Sequence, residues 1–247
     1  MADGQLLQVT ECERCPALVA CRHSIVNGRG REGARLMLVG QNPGVDEDQE
    51  GKAFIGKSGK LLRLLCDAAG IAVSDVWLVN SVRCHSPGNR VPKQDEINNC
   101  RPYLIEEIQA LKPAAIVSLG QVALQSLIGM DGGVGYHQEL MYWENECESI
   151  IDLWQDEVVR WQGLTRIERL NIFPNGKPKK PKLALKPKLP KKVHVTLKDS
   201  AGHTFFQQDT GIPVIPTYHP AFLMRGQWNY SEIVISHLEK ARRIVER

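Results

Sequence analysis

The chain is predicted to fold as an α/β protein in three layers, α/β/α, around a central, mostly parallel four-stranded sheet. Three observations carry this expectation. Four short apolar runs are bounded by turn residues, segments with helical periodicity lie between them, and 247 residues at 43% hydrophobic can bury one sizeable core. The first run, Ala34 to Gly40 (ARLMLVG), has no polar alternation, as expected for a strand covered on both faces. Gly59 to Gly70 then shows apolar residues at the 3.6-residue period of a helix. Asp75 to Val82 (DVWLVNSV) is the second strand, Lys93 to Lys112 the second helix, Ala114 to Gly120 the third strand and Gln121 to Gly129 a short third helix. Ile212 to Pro220 (IPVIPTYHP) supplies the fourth strand. Strands joined through helices pair in parallel, and ligands on such sheets sit beyond the strands' carboxyl ends. Those ends are Gly40 to Gly44, Asn80 to Cys84, Gly120, and Tyr218 to Pro220.

Residues 1–247 read as one domain with an insertion at about 131–210. Asp131 to Glu157 carries eight acidic residues and no Lys or Arg, and Pro174 to Lys192 carries eight lysines, five prolines and no acid. Without those lysines the net charge of +3 would be −5. Prolines at this density exclude a regular helix, and mutual repulsion favours an extended, flexible chain. It suits either a solvated linker or an arm on nucleic-acid phosphates. No apolar run approaches the roughly 20 residues that span a bilayer, and the N-terminus has neither a basic start nor an apolar signal core. A soluble, cytoplasmic monomer with no membrane partner is expected.

The stretch GKAFIGKS, Gly51 to Ser58, fits the phosphate-loop pattern G-x-x-x-x-G-K-[ST]. Such a loop must leave a strand directly and enter a helix. A helix does follow, but Gly51 is preceded by the acidic run DEDQE and the strand ends well upstream at Gly40. A nucleoside-triphosphate site is therefore not expected. Seven cysteines make an odd number for a disulfide framework. Cys12 and Cys15 form C-x2-C, with Cys84 and Cys100 much further along, and four such thiolates suit either a 4Fe-4S cluster or a tetrahedral zinc.

The turn leaving the first strand is VGQNPGVDEDQEGKAFIGKSG, with Gly40, Pro43, Gly44, Glu47, Asp48, Gly51, Phe54, Gly56 and Gly59. With LVNSVRCHSPGNRVPKQDEINNCRPYL, KPAAIVSLGQVALQSLIG and IPTYHPAFLMR, this series resembles the uracil-DNA glycosylase superfamily, and within it the iron-sulfur group called family 4. The resemblance covers about two thirds of the chain and fails across 131–210. It implies cluster ligands at Cys12, Cys15, Cys84 and Cys100, zinc being the alternative, and uracil-containing DNA as partner. It also implies hydrolysis of the N-glycosidic bond of a flipped-out base.

On this resemblance Asn80 pairs with the uracil edge, Phe54 stacks on the ring, Gly40 and Gly44 line the base site, and His219 donates to the developing charge on O2. Leu223 and Met224 are candidate wedges and Arg225 a phosphate contact. The family 4 Glu and Ala are Gln41 and Asn42 here, giving G-Q-N-P-G, like the mismatch-specific and single-strand-selective groups. Neither amide is a general base, so Asn42 is expected to position the attacking water, with Gln41 the second choice. The missing carboxylate also admits an alternative, a DNA-binding protein that recognises uracil or a modified base with weak or no hydrolysis.

Overall fold

The structure, a computed structural model, describes residues 8–128 and 212–247 together with two short strands between them. Its main sheet has five strands in the order β1-β3-β2-β4-β7. These are β1 (Arg29–Gly30), β2 (Leu36–Gly40), β3 (Val76–Asn80), β4 (Ala115–Leu119) and β7 (Val214–Thr217). The last four pair in parallel, and β1 lies antiparallel on the β3 edge. The expected four-stranded sheet is thus present with one added strand, too short to carry a hydrophobic period. Strands β5 (Thr196–Lys198) and β6 (Thr204–Gln207) form a separate antiparallel pair. The acidic run and the Lys/Pro-rich segment 174–192 lie outside the described residues.

The helices are α1 (Pro16–Val19), α2 (Val45–Glu50), α3 (Lys57–Ala68), α4 (Gln94–Leu111), α5 (Gln121–Ile128), α6 (Pro220–Leu223) and α7 (Ser231–Val245). Every residue of β2, β3 and β4 is buried, because helices cover both faces. Alternate residues divide between two cores, as the pleat requires. Leu36, Leu38, Leu78 and Val117 pack with Leu62 and Leu65 of α3 and Val234 and Leu238 of α7. Met37, Val39, Trp77 and Ile116 face the other way, onto Leu104 and Ile108 of α4 and Leu124 of α5.

Within the acidic run DEDQE, Glu47 and Asp48 are turned inward at 6% and 3% exposure. Asp48 accepts the His23 and Ser24 backbone N-H groups at 2.8 and 3.1 Å, tying the N-terminal segment to α2. A buried ion pair does the same further along. Arg83 donates to Glu107 at 2.6 Å and to Asn27 at 2.5 Å, while Trp77 Nε1 donates to Glu107 at 2.7 Å. Asn27 in turn accepts the Val9 N-H at 2.9 Å. Removing one member of such a pair typically costs about 3–5 kcal/mol, because the other charge stays buried. The loops beyond β3 and the N-terminal segment are therefore held as one piece.

Candidate active site

The carboxyl edge of the sheet presents, in strand order, Asn80, Gly40, Gly120 and the residues following Thr217. Past Gly40 and Asn80 the two loops continue side by side. Ser81 donates to the Gly40 carbonyl through both N-H (2.9 Å) and Oγ (2.8 Å), and Val82 N-H reaches the Gln41 carbonyl at 3.0 Å. Gly40 is where two predicted site residues meet. A Cβ built there would stand 2.4 Å from Asn80 Oδ1 and 2.5 Å from Phe54 Cζ. Only a residue without a side chain lets the amide and the aromatic edge approach each other.

Phe54 is buried and holds a left-handed backbone, φ 56°. For a bulky residue that conformation costs about 1–2 kcal/mol and persists only when the surroundings impose it. Here they do. Arg29 Nε donates to the Ala53 carbonyl at 2.7 Å, and Gly59 brings α3 so close that a Cβ on it would overlap the Phe54 carbonyl. Glu47 closes the loop by accepting Gly44 N-H through Oε2 at 3.1 Å and Gly56 N-H through Oε1 at 2.8 Å. The resemblance gave Glu47 only as a matched letter. Its signal was the capping pattern, a Glu three residues after a helix-starting Gly.

Gln41 and Asn42 are half-buried in the turn after β2. Gln41 Nε2 donates to Asn42 Oδ1 at 3.0 Å, and Asn42 Nδ2 faces the Pro43 carbonyl at 3.2 Å and Ser86 Oγ at 3.4 Å. His85 Nδ1 also reaches the Pro43 carbonyl, at 3.0 Å.

His219 sits at the far side of the edge, against Gly120, whose Cβ would lie 3.0 Å from that of His219. It caps α6, and its Nδ1 accepts the Ala221 N-H at 3.1 Å. Burial, with Arg225 adding repulsion, pushes its pKa down to about 4. The ring is therefore neutral near pH 7. Because Nδ1 is an acceptor, the one proton sits on Nε2.

Of the three expected DNA contacts, Leu223 is fully buried in the core, whereas Met224 is 39% exposed and Arg225 is exposed. The helical turn aims Leu223 inward, so only Met224 of the two expected wedges offers surface in this conformation. The loop is underpinned by Tyr218 stacked on Phe222 at 5.1 Å, with Tyr230 edge-on to both.

Cys12, Cys15, Cys84 and Cys100 are all free thiols. Burial raises the pKa of Cys15, Cys84 and Cys100, the last to about 12, and repulsion from Cys12 adds to the rise in all three. Three of the four sulfurs face N-H donors: Arg22 to Cys84 at 3.2 Å, Arg83 N-H to Cys100 at 3.3 Å and Asn99 to Cys15 at 3.6 Å. Among the described residues no three Cys, His, Asp or Glu side chains are drawn into a metal-holding group. Soft, unpaired thiols with N-H donors on their sulfurs nevertheless fit a thiolate-bound iron-sulfur or zinc centre.

A buried aromatic ring, a strand-end amide and a neutral imidazole along the carboxyl edge of a parallel sheet define an α/β protein whose site could take a planar, hydrogen-bonding ligand. The family model for the uracil DNA glycosylase superfamily matches residues 28–238, and the chain belongs to that superfamily. It is 37% identical over 124 residues to a type-4 uracil-DNA glycosylase of Pyrobaculum aerophilum, covering 50% of this chain and 63% of that protein. To the type-4 enzyme of Saccharolobus solfataricus it is 42% identical over 115 residues, covering 46% and 53% respectively. With the type-4 enzyme of Thermotoga maritima it is 28% identical over 241 residues, 97% of this chain and 92% of that one. The first two alignments thus span less than two thirds of the relatives' own length.

Proposed function

We propose that the chain is a monofunctional uracil-DNA glycosylase, acting in base excision repair on a uracil flipped out of DNA. The observation that carries this reading is the neutral His219, its Nε2 proton free of the Ala221 contact, at the same sheet edge as the Phe54–Gly40–Asn80 junction. Asn80 and His219 are three strands apart, roughly 14 Å by ordinary strand spacing. Turned inward, their side chains approach opposite edges of one pyrimidine. Asn80 reads O4 and N3-H, Phe54 stacks on the ring, and Met224 fills the gap left in the duplex while Arg225 touches phosphate.

As the C1'–N1 bond breaks, the electron pair moves onto the base and charge gathers on O2, where His219 Nε2-H donates. A preorganised donor of this kind contributes about 3 kcal/mol. Water held by Asn42 then bonds to C1' and releases its proton to solvent, while the departing base anion takes one up from solvent, leaving free uracil and an abasic site. The lysines of the first matched motif, Lys52 and Lys57, are exposed, and no recognisable lysine nucleophile lies in the pocket motifs, so no strand cutting is expected.

Cys12, Cys15, Cys84 and Cys100 would hold a 4Fe-4S cluster, or zinc in its place, whose contribution is to staple the N-terminal segment to the β3 loop and α4. A second reading, base recognition with weak or no hydrolysis, is favoured by the absence of a carboxylate at positions 41 and 42. Incubation with a uracil-containing oligonucleotide followed by alkali separates the two. Alkali-sensitive breaks at uracil support the glycosylase, and binding without breaks supports the second reading.

A further inference from the structure

Asn42 and Gln41 carry amides of the same chemistry on neighbouring residues, and their hydrogen bonds give them different tasks. The Pro43 carbonyl can only accept, so the Asn42 group facing it at 3.2 Å must be the NH2. That places Asn42 Oδ1 toward Gln41, so Gln41 must present its own NH2, at 3.0 Å. Ser86, with no exposed surface, closes the arrangement from the β3 loop through its Oγ, 3.4 Å from Asn42 Nδ2. The Pro43 carbonyl therefore sets which end of each amide points where, and Gln41 and Ser86 supply the side-chain contacts that hold Asn42 in that rotamer.

We propose that Gln41 and Ser86 are positioning residues acting through Asn42: they lock its amide so that Oδ1 keeps one lone pair for the attacking water, and Gln41 does not handle the water itself. This deepens, and rests on, the glycosylase reading. An amide oxygen accepts two hydrogen bonds; Gln41 fills one site and the water O-H takes the other. An unlocked Asn42 would rotate and offer NH2, a donor, to a nucleophile whose lone pair must face C1'. A carboxylate at position 41 is not equivalent to Gln41, because it can only accept and would repel Asn42 Oδ1.

The test is single-turnover uracil excision by the full chain, with oligonucleotide affinity and melting temperature measured in parallel. Gln41→Met, Gln41→Glu and Ser86→Ala are each expected to slow excision at least tenfold at position 41 and severalfold at position 86, with affinity and melting little changed. Gln41→Met combined with Asn42→Ala should be no slower than Asn42→Ala alone, since both remove one function. Losses at 41 and 42 that multiply, or a Gln41→Glu variant as fast as the parent, would overturn the assignment while leaving the glycosylase reading standing. A parent chain that binds uracil-containing DNA without making alkali-sensitive sites would remove both.

Discussion

Replacing Gly40 by alanine tests the site at its tightest point. Gly40 does not hold a left-handed backbone, so the only cost is space. The added Cβ would lie 2.4 Å from Asn80 Oδ1 and 2.5 Å from Phe54 Cζ, where ordinary contacts begin at 3.4 Å. Each group must retreat by about 1 Å, and neither has an easy path. Phe54 is pinned through its own backbone, and Asn80 is in register with Gly40 itself. Overpacking of this size costs about 1–3 kcal/mol, which in a chain of this length lowers the melting temperature by about 2–4 °C per kcal/mol. The effect on excision should be larger, because displacement of a substrate-positioning group by about 1 Å can cost a hundredfold. The measurement is single-turnover release of uracil at saturating enzyme, alongside a thermal melt. A Gly40→Ala protein melting a few degrees low but excising within threefold of the parent would refute the claim that the Phe54–Asn80 junction receives the base.

Four other outcomes are expected. Met224→Ala should weaken excision from duplex more than from single-stranded DNA while leaving the melt unchanged, whereas Leu223→Ala should destabilise the fold by about 2–5 kcal/mol, as core truncations do; denaturant titration with both substrates tells them apart. The His219 pKa is depressed to about 4, so the unfolded chain takes up a proton at the ordinary imidazole pKa that the folded chain refuses until about pH 4. Its stabilising contribution is complete above the ordinary value and lost as pH falls from there toward 4. The parent's stability should therefore drop over that window more steeply than that of His219→Gln, in melts run at stepped pH. Cys100→Ser should lose bound metal and expose residues 8–28 to limited proteolysis; a brown parent protein that bleaches on reduction identifies iron-sulfur, and a colourless one with stoichiometric zinc identifies the alternative. Deleting residues 174–192 should lower DNA affinity and flatten its salt dependence if the eight lysines reach phosphate; an unchanged slope makes the segment a linker.

The central strands and the three predicted helices were legible because burial on two faces, or on one stripe, leaves a periodic trace; α7, Ser231–Val245, was not read although it buries Val234, Leu238 and Ala241 on one such stripe. Strand β1 was not, since two residues carry no period and its pairing with β3 is set by its neighbours. Helix α2 was missed for a related reason. VDEDQE has no apolar stripe and is held by Glu47, Asp48 and the left-handed Gly51 rather than by a greasy face. At the site, chemical type and order were readable, but direction was not. Sequence spacing alone could not decide that Leu223 turns into the core while Met224 turns out. Nor could it show which nitrogen of His219 carries the proton, because that depends on the Ala221 N-H two residues on. Ser86 carried no sequence signal, and only the approach of the β3 loop to Asn42 brings it into play.

The carboxylate of Glu47 joins two loops that have different jobs in the proposed reaction, grasping Gly44 beside the Gln41–Asn42 turn and Gly56 beside Phe54. Drift in one loop is thereby transmitted to the other. Variants selected for a wider range of bases by loosening the Phe54 side would carry the water turn with them and lose rate. Broad selectivity and fast hydrolysis would thus have to be sought through changes on both sides of that carboxylate at once.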